Sequence, residues 1–184
     1  MLTFAAVVSS AGCASDQVSP SDTSFLAADI GGSIQSRYEG SGSFRVLPAA
    51  ATGARFALSS QGTGASDKQG FSFLALEPPA VGEHPVGDFD LRTFRVTYWA
   101  DQGGVRRIYE AQTGLVRITA SDVRRVSGSF SIRASLALRC ILRPAFPSPI
   151  LDCESTPGTE EVEITGSFVT GPVGGVLPGL TPSP

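Results

Sequence analysis

The run Val126–Cys140, VSGSFSIRASLALRC, alternates apolar and polar residues for longer than any other stretch of the chain. Val126, Phe130, Ile132, Ala134, Leu136, Leu138 and Cys140 share one parity, and Arg125, Ser127, Ser129, Ser131, Arg133, Ser135 and Arg139 hold the other. That is the period of a half-buried β-strand. Wound as a helix, the same residues would place Arg133 and Arg139 in the apolar stripe, and their Ser and β-branched content disfavours helix. A long strand with one apolar face has to be covered by further strands, so the rest of the chain is read against this one.

Proceeding along the chain, strands are expected near Ser33–Tyr38 and Ser43–Leu47, with Gly31-Gly32 and Gly40 to Gly42 as places for a bend, bulge or turn. ARFALSSQ follows with Phe56 and Leu58 on one face, then the turn GTGASDKQG, then GFSFLALE with Phe71, Phe73 and Ala75 in phase. The segment PPAVGEHPVGDFD, crowded with Pro and Gly, reads as a structured loop that cannot continue a sheet. TFRVTYWA points Phe94, Val96 and Tyr98 one way and Arg95, Thr97 and Trp99 the other. DQGG turns it into VRRIYEAQ, and GLVRITA is a separate strand leading through SDVR into the organising one. ILRPAFPSPILDC reads as a loop broken by proline, and EEVEITGSFV closes the domain with Val162, Ile164 and Phe168 inward. The tripeptide Gly-Ser-Phe begins at Gly42, Gly128 and Gly166, at unequal intervals that exclude a tandem repeat. Eight or nine strands with short turns and no helix predict an all-β domain, either an antiparallel β-sandwich or a closed β-barrel.

The chain has 184 residues, a one-domain size, with Gly 21 and Pro 13 suited to many turns. Its basic residues are scattered among 17 acids and its formal net charge is −3, which argues against a nucleic-acid partner. The adjacent pairs Arg106-Arg107 and Arg124-Arg125 read as solvated strand ends.

Residues 1–12, MLTFAAVVSSAG, carry no charge, are apolar from Leu2 to Val8, then turn small and meet Cys13. This looks like the end of a bacterial lipoprotein signal, in which a small-residue box ends in the Cys that receives lipid. No Lys or Arg precedes the run and Ser10 stands where such a box usually has Leu, which leaves open a start upstream of Met1. The expected organisation is a signal at 1–12, lipidated Cys13 and a flexible tether to residue 24, an all-β domain at 25–169, and a disordered Pro/Gly-rich tail at 170–184. With Cys13 carrying acyl groups such as palmitate, Cys140 and Cys153 form an even pair in an oxidising compartment, and a disulfide between them is expected.

Candidate chemistry is sparse. His84 is the only histidine, and with Ser59 or Ser60 and Asp88 it suggests a hydrolytic triad, but no Gly-x-Ser-x-Gly elbow is present. Glu83, Asp88 and Asp90 share its loop and offer oxygen ligands for calcium, without EF-hand spacing. Glu160, Glu161 and Glu163 suggest a glycosidase pair, against the plainer reading of solvated edge charges. Trp99 and Arg95, on the outward face, suit stacking on a sugar or a partner surface.

The segments PPAVGEHPVG, GLVRITASDVRRVSGSFSI and VEITGSFV resemble a family of small all-β bacterial lipoproteins of unknown function. The resemblance runs from Phe25 to Val169 and implies fold and location, with an ordinary aromatic position where His84 stands; it supplies no activity. The expected function is a lipid-anchored cell-envelope protein, at the outer membrane, whose β-domain binds an envelope protein or a glycan or plays a structural part. No catalytic residue, cofactor or metal is assigned. The alternative is an envelope hydrolase or calcium-dependent binding module using the loop of Glu83, His84, Asp88 and Asp90. A transmembrane β-barrel is disfavoured because the strands lack lipid-facing apolar bands.

Overall fold

The computed structural model describes residues 24–47, 55–62, 68–87, 93–143, 150–158 and 160–173. Ten strands make one sheet: β1 (Phe25–Gly32), β2 (Ser36–Val46), β3 (Phe56–Gly62), β4 (Gln69–Ala75), β5 (Gly82–Pro85), β6 (Phe94–Gln102), β7 (Val105–Ser121), β8 (Val126–Arg143), β9 (Ile150–Ser155) and β10 (Glu161–Pro172). The order β5-β7-β6-β4-β3-β2-β1-β10-β8-β9 closes on itself through pairing of β7 with β8. Eight strands therefore form an antiparallel barrel, with β5 and β9 added to the outer reaches of β7 and β8. Barrel, not sandwich, is the outcome.

The organising run is β8, whose inward members Phe130, Ile132, Ala134 and Leu136 are all buried. Past the bulge opposite Ile108 and Tyr109 the phase switches, so Cys140, expected inward, is buried on the outer face shared with its partner Arg106. An eight-stranded barrel has an interior just wide enough for side chains to fill. Here aromatic rings fill it: Phe71 lies 5.6 Å from Phe130 and 4.9 Å from Tyr38, and Phe73 lies 5.1 Å from Phe130 and 5.7 Å from Phe168. Fully burying each such ring contributes roughly 1.5–3 kcal/mol. The Gly-Ser-Phe tripeptides of β8 and β10 interlock across this core, because the register sets Phe130 opposite Gly166 and Phe168 opposite Gly128.

Several sequence expectations are corrected. Phe25–Gly32 is a strand of its own, Ser33 lies in the turn after it, and Gly40 to Gly42 do not interrupt β2. VRRIYEAQ and GLVRITA are one strand, which bends at Gly114 with φ +144° and carries bulges where the register slips. The Pro-rich loop does continue the sheet. Its residues Gly82–Pro85 pair with β7 where β6 has ended, and β5 is an edge strand, where a missing proline N–H costs no ladder bond. The segment after Cys140 keeps its strand to Arg143 and re-enters the sheet as β9, leaving only 144–149 outside the described residues. β10 runs through Thr170, which is 1 % exposed, so the domain extends past residue 169. The expected tail from 174, the turn at 63–67, and residues 1–23 with Cys13 lie outside the described residues.

The two-residue hairpin turn Gly103-Gly104, with φ +60° and +77°, is the mirror-image turn whose twist matches its flanking strands, and only glycine takes both positions without cost. It sets Asp101 opposite Arg106. The outer wall carries exposed Arg37, Glu39, Arg95, Arg133 and Glu163, where a membrane-spanning barrel presents an apolar band.

Candidate functional site

Two concavities lie on the outside of the barrel. The first is a cleft of about 570 Å³ where the chain leaves β4 and returns as β5, lined by Glu77, Pro78, Pro79, Glu83, His84 and Phe94 among others. His84 is half-buried. Its Nε2 donates to the Ala80 carbonyl at 2.8 Å, and its ring meets the edge of Phe94 at 5.6 Å. Both contacts use the ring to hold the loop, as an aromatic in that place would.

The imagined triad does not assemble. Ser60 points into the barrel, where its hydroxyl lies 2.5 Å from that of Tyr38 and donates to Ser41 O at 2.9 Å. Ser59 faces out from β3, which β4 and β6 separate from the β5–β7 edge. Asp88 and Asp90 lie outside the described residues, and among the described ones Glu83 and His84 belong to no group of three metal-binding side chains.

The second concavity, about 410 Å³, lies on the outer wall over β2, β3 and β4. Ser41, Ser43, Ser59, Gln61 and Ser72 line it, and Trp99 bounds it. A row of hydroxyls crosses the wall in register, from Ser43 to Ser59, Ser72 and Thr97. Trp99 lies face-on to Gly70, its cross-strand partner; a Cβ on Gly70 would sit 2.6 Å from three indole atoms. The Arg106 guanidinium covers the ring at 4.2 Å and makes two hydrogen bonds to Asp101, of 2.7 and 2.9 Å. Asp101 thereby raises the Arg106 pKa further. Arg106 and Arg107 are thus half-buried structural groups, not solvated strand ends. Arg95, by contrast, stays exposed and pairs with Glu110 at 2.7 Å.

The barrel end above Trp99 holds all three tyrosines of the chain. Tyr98 donates to Gln69 Oε1 at 2.9 Å and Tyr109 to Glu160 Oε2 at 2.9 Å, while Arg107 approaches the same carboxylate at 3.6 Å. Burial pushes the Tyr98 hydroxyl up to about 12 and raises Tyr38; burial, then the Glu160 hydrogen bond, raises Tyr109 further. Glu160 is therefore an acceptor for a buried phenol. Glu161 and Glu163 project outward from β10, which lies between β1 and β8 and is no edge, and Glu163 pairs with Arg133 at 2.7 Å.

Cys140 and Cys153 face each other across β8 and β9 and are joined by a disulfide, with Cα atoms 4.0 Å apart, well inside the limit of about 7 Å. The bond holds the outermost strand to the barrel. Sequence reasoning reached this pair but missed Gly70 under Trp99 and Glu160 under Tyr109, because both need cross-strand register. The Asp101–Arg106 pair was within reach: it sits symmetrically about the Gly103-Gly104 turn.

No protein-family model, curated protein or solved structure matches this chain. Fold and surface together define a disulfide-tied β-barrel with an aromatic interior and two concavities on its outside.

Proposed function

We propose that this chain is a lipid-anchored protein of the bacterial cell envelope whose barrel binds through its outer surface or serves as a rigid spacer, without catalysis. The observation that carries this reading is the partition of the three cysteines: Cys140 and Cys153 are joined, and the odd one is Cys13, behind Ser-Ala-Gly and an uncharged apolar run. Disulfides persist in oxidising compartments, the bacterial periplasm among them, which fits an exported, envelope-anchored chain. The resemblance to small all-β lipoproteins agrees with this reading. Aromatic rings from β4, β8 and β10 pack against one another in the interior, which favours contact with partners at the wall or the rims. The trough beside Trp99, with its hydroxyl row, favours a hydroxyl-rich partner such as a glycan over a purely apolar one.

The test is fractionation of a bacterium expressing the full chain. Native protein should sediment with membranes through a high-salt wash and be released by detergent, and Cys13→Ala should move it to the soluble fraction in that wash. Equal membrane association of the two forms would contradict the anchor.

A further inference from the structure

We infer that the barrel end where the chain enters at Ser24 is a docking face for an anionic bilayer surface. The inference rests on the anchor reading above and goes beyond it, from a tether to an oriented contact.

Register fixes which residues share this rim. Val126 opens β8 beside Thr170 of β10; below the start of β1, Gly171 and Pro172 pair directly with Ser43 and Phe44 of β2; and Val46 pairs with Phe56 of β3. Ser24 enters at that junction, its Oγ accepting the Gly171 N–H at 3.0 Å. The turn 122–125, the end of β10, the start of β1 and the β2–β3 ends therefore form one continuous arc.

That arc is basic and apolar. Arg45, Arg55, Arg124 and Arg125 are exposed on it, and none has a carboxylate partner among the described residues. Asp122, whose Oδ1 accepts the backbone N–H groups of Arg124 and Arg125, places one negative charge in the same turn, fewer than the four arginines of the arc. Phe25, Val123 and Val173 are 44 %, 58 % and 45 % exposed beside them. Glu77 and Glu83 stand across the rim, by the β5 cleft. At the opposite end most arginines are engaged, Arg106 with Asp101, Arg107 with Glu160 and Arg143 with Asp152, and acids and bases are mixed. Of the six arginines that have no carboxylate partner among the described residues, four lie where the tether emerges, with Arg117 on the wall and Arg139 at the far end.

Unpaired Arg beside exposed Phe and Val is the pairing that an anionic headgroup layer accommodates: the cations meet phosphate and the apolar groups reach the acyl boundary. From Cys13 the tether leads to this rim and to no other part of the barrel. The lipid and the rim would reach one bilayer together, the first supplying the anchor and the second fixing which end of the barrel faces away.

The test uses unacylated chain from residue 13 with Cys13→Ser, which retains the entire core from Leu26 to Phe168. Co-sedimentation with phosphatidylglycerol vesicles is compared with phosphatidylcholine vesicles. Binding should favour the anionic vesicles about tenfold or more and weaken as ionic strength rises. Arg124→Glu with Arg125→Glu should lower it about tenfold or more, and Arg45→Glu with Arg55→Glu should act alike. Arg133→Glu with Arg143→Glu, on the other half of the barrel, should leave it unchanged. Equal binding to both vesicles, or equal loss in the control pair, overturns the docking face. Because this protein carries no lipid, that result leaves acylation of Cys13 standing, and an unmodified Cys13 leaves the vesicle result standing.

Discussion

Phe130 lies over Gly166: a Cβ on that glycine would come within 2.6 Å of the ring's Cζ and of the Ala27 carbonyl oxygen, and on Gly128 a Cβ would meet the Phe168 Cζ at 3.1 Å and the Arg117 carbonyl oxygen closer still. Each Gly-Ser-Phe of the β8–β10 pair supplies the ring that covers the other's glycine, so a residue that weakens an isolated strand becomes the seat for core packing.

Gly166→Ala should therefore destabilise the barrel by about 1–3 kcal/mol through overpacking. Urea unfolding measures it. Combining it with Phe130→Leu should cost less than the sum of the two single changes, because the smaller side chain relieves the ring contact while the contact with the Ala27 carbonyl oxygen remains; strict additivity would show that the ring contributes nothing to the cost.

All three tyrosines should resist ionisation. Tyr98 is held at about 12 and Tyr38 and Tyr109 are also raised, each by burial first, against about 10 in an unfolded chain. Since the folded pKa exceeds the unfolded one, the stabilisation is fully present below about pH 10 and is lost as pH rises toward 12. Ultraviolet titration at pH 10 should show clearly less tyrosinate in native protein than in denatured protein, where about half is expected. A native phenol titrating near 10 would mean that this end of the barrel is open.

Removing the Cys140–Cys153 bond, as Cys140→Ser with Cys153→Ser, should cost about 3 kcal/mol by chain entropy for its 13-residue separation. Because β9 pairs only with β8, the loss should appear first as amide exchange in β9, with the β8–β10 pairing retaining protection.

Much of the barrel was legible because period-2 alternation names an inward face, and Phe94, Val96, Tyr98, Phe130 and Ile132 all obey it. Three kinds of feature were not legible. Pro85 marked a segment as loop, yet an edge strand tolerates it, and being an edge depends on where β6 stops. The bend at Gly114 looked like a gap between strands because bulges interrupt alternation without interrupting pairing. The partners of Trp99, Tyr109 and Arg106 lie on neighbouring strands, at positions that become adjacent only when the register is known. Of the suspected site, His84 and Glu83 do meet at a cleft, whereas Ser59 and Ser60 belong to the opposite side and the inside of the wall.

Intact-mass measurement of unreduced protein extracted from membranes tests the lipid-anchored, disulfide-tied account most directly. The predicted mass is that of the chain from Cys13 to Pro184 bearing diacylglycerol and an acyl group on Cys13, less the hydrogens lost in one disulfide. A chain that still begins at Met1, an unmodified Cys13, or free thiols at Cys140 and Cys153 would contradict it.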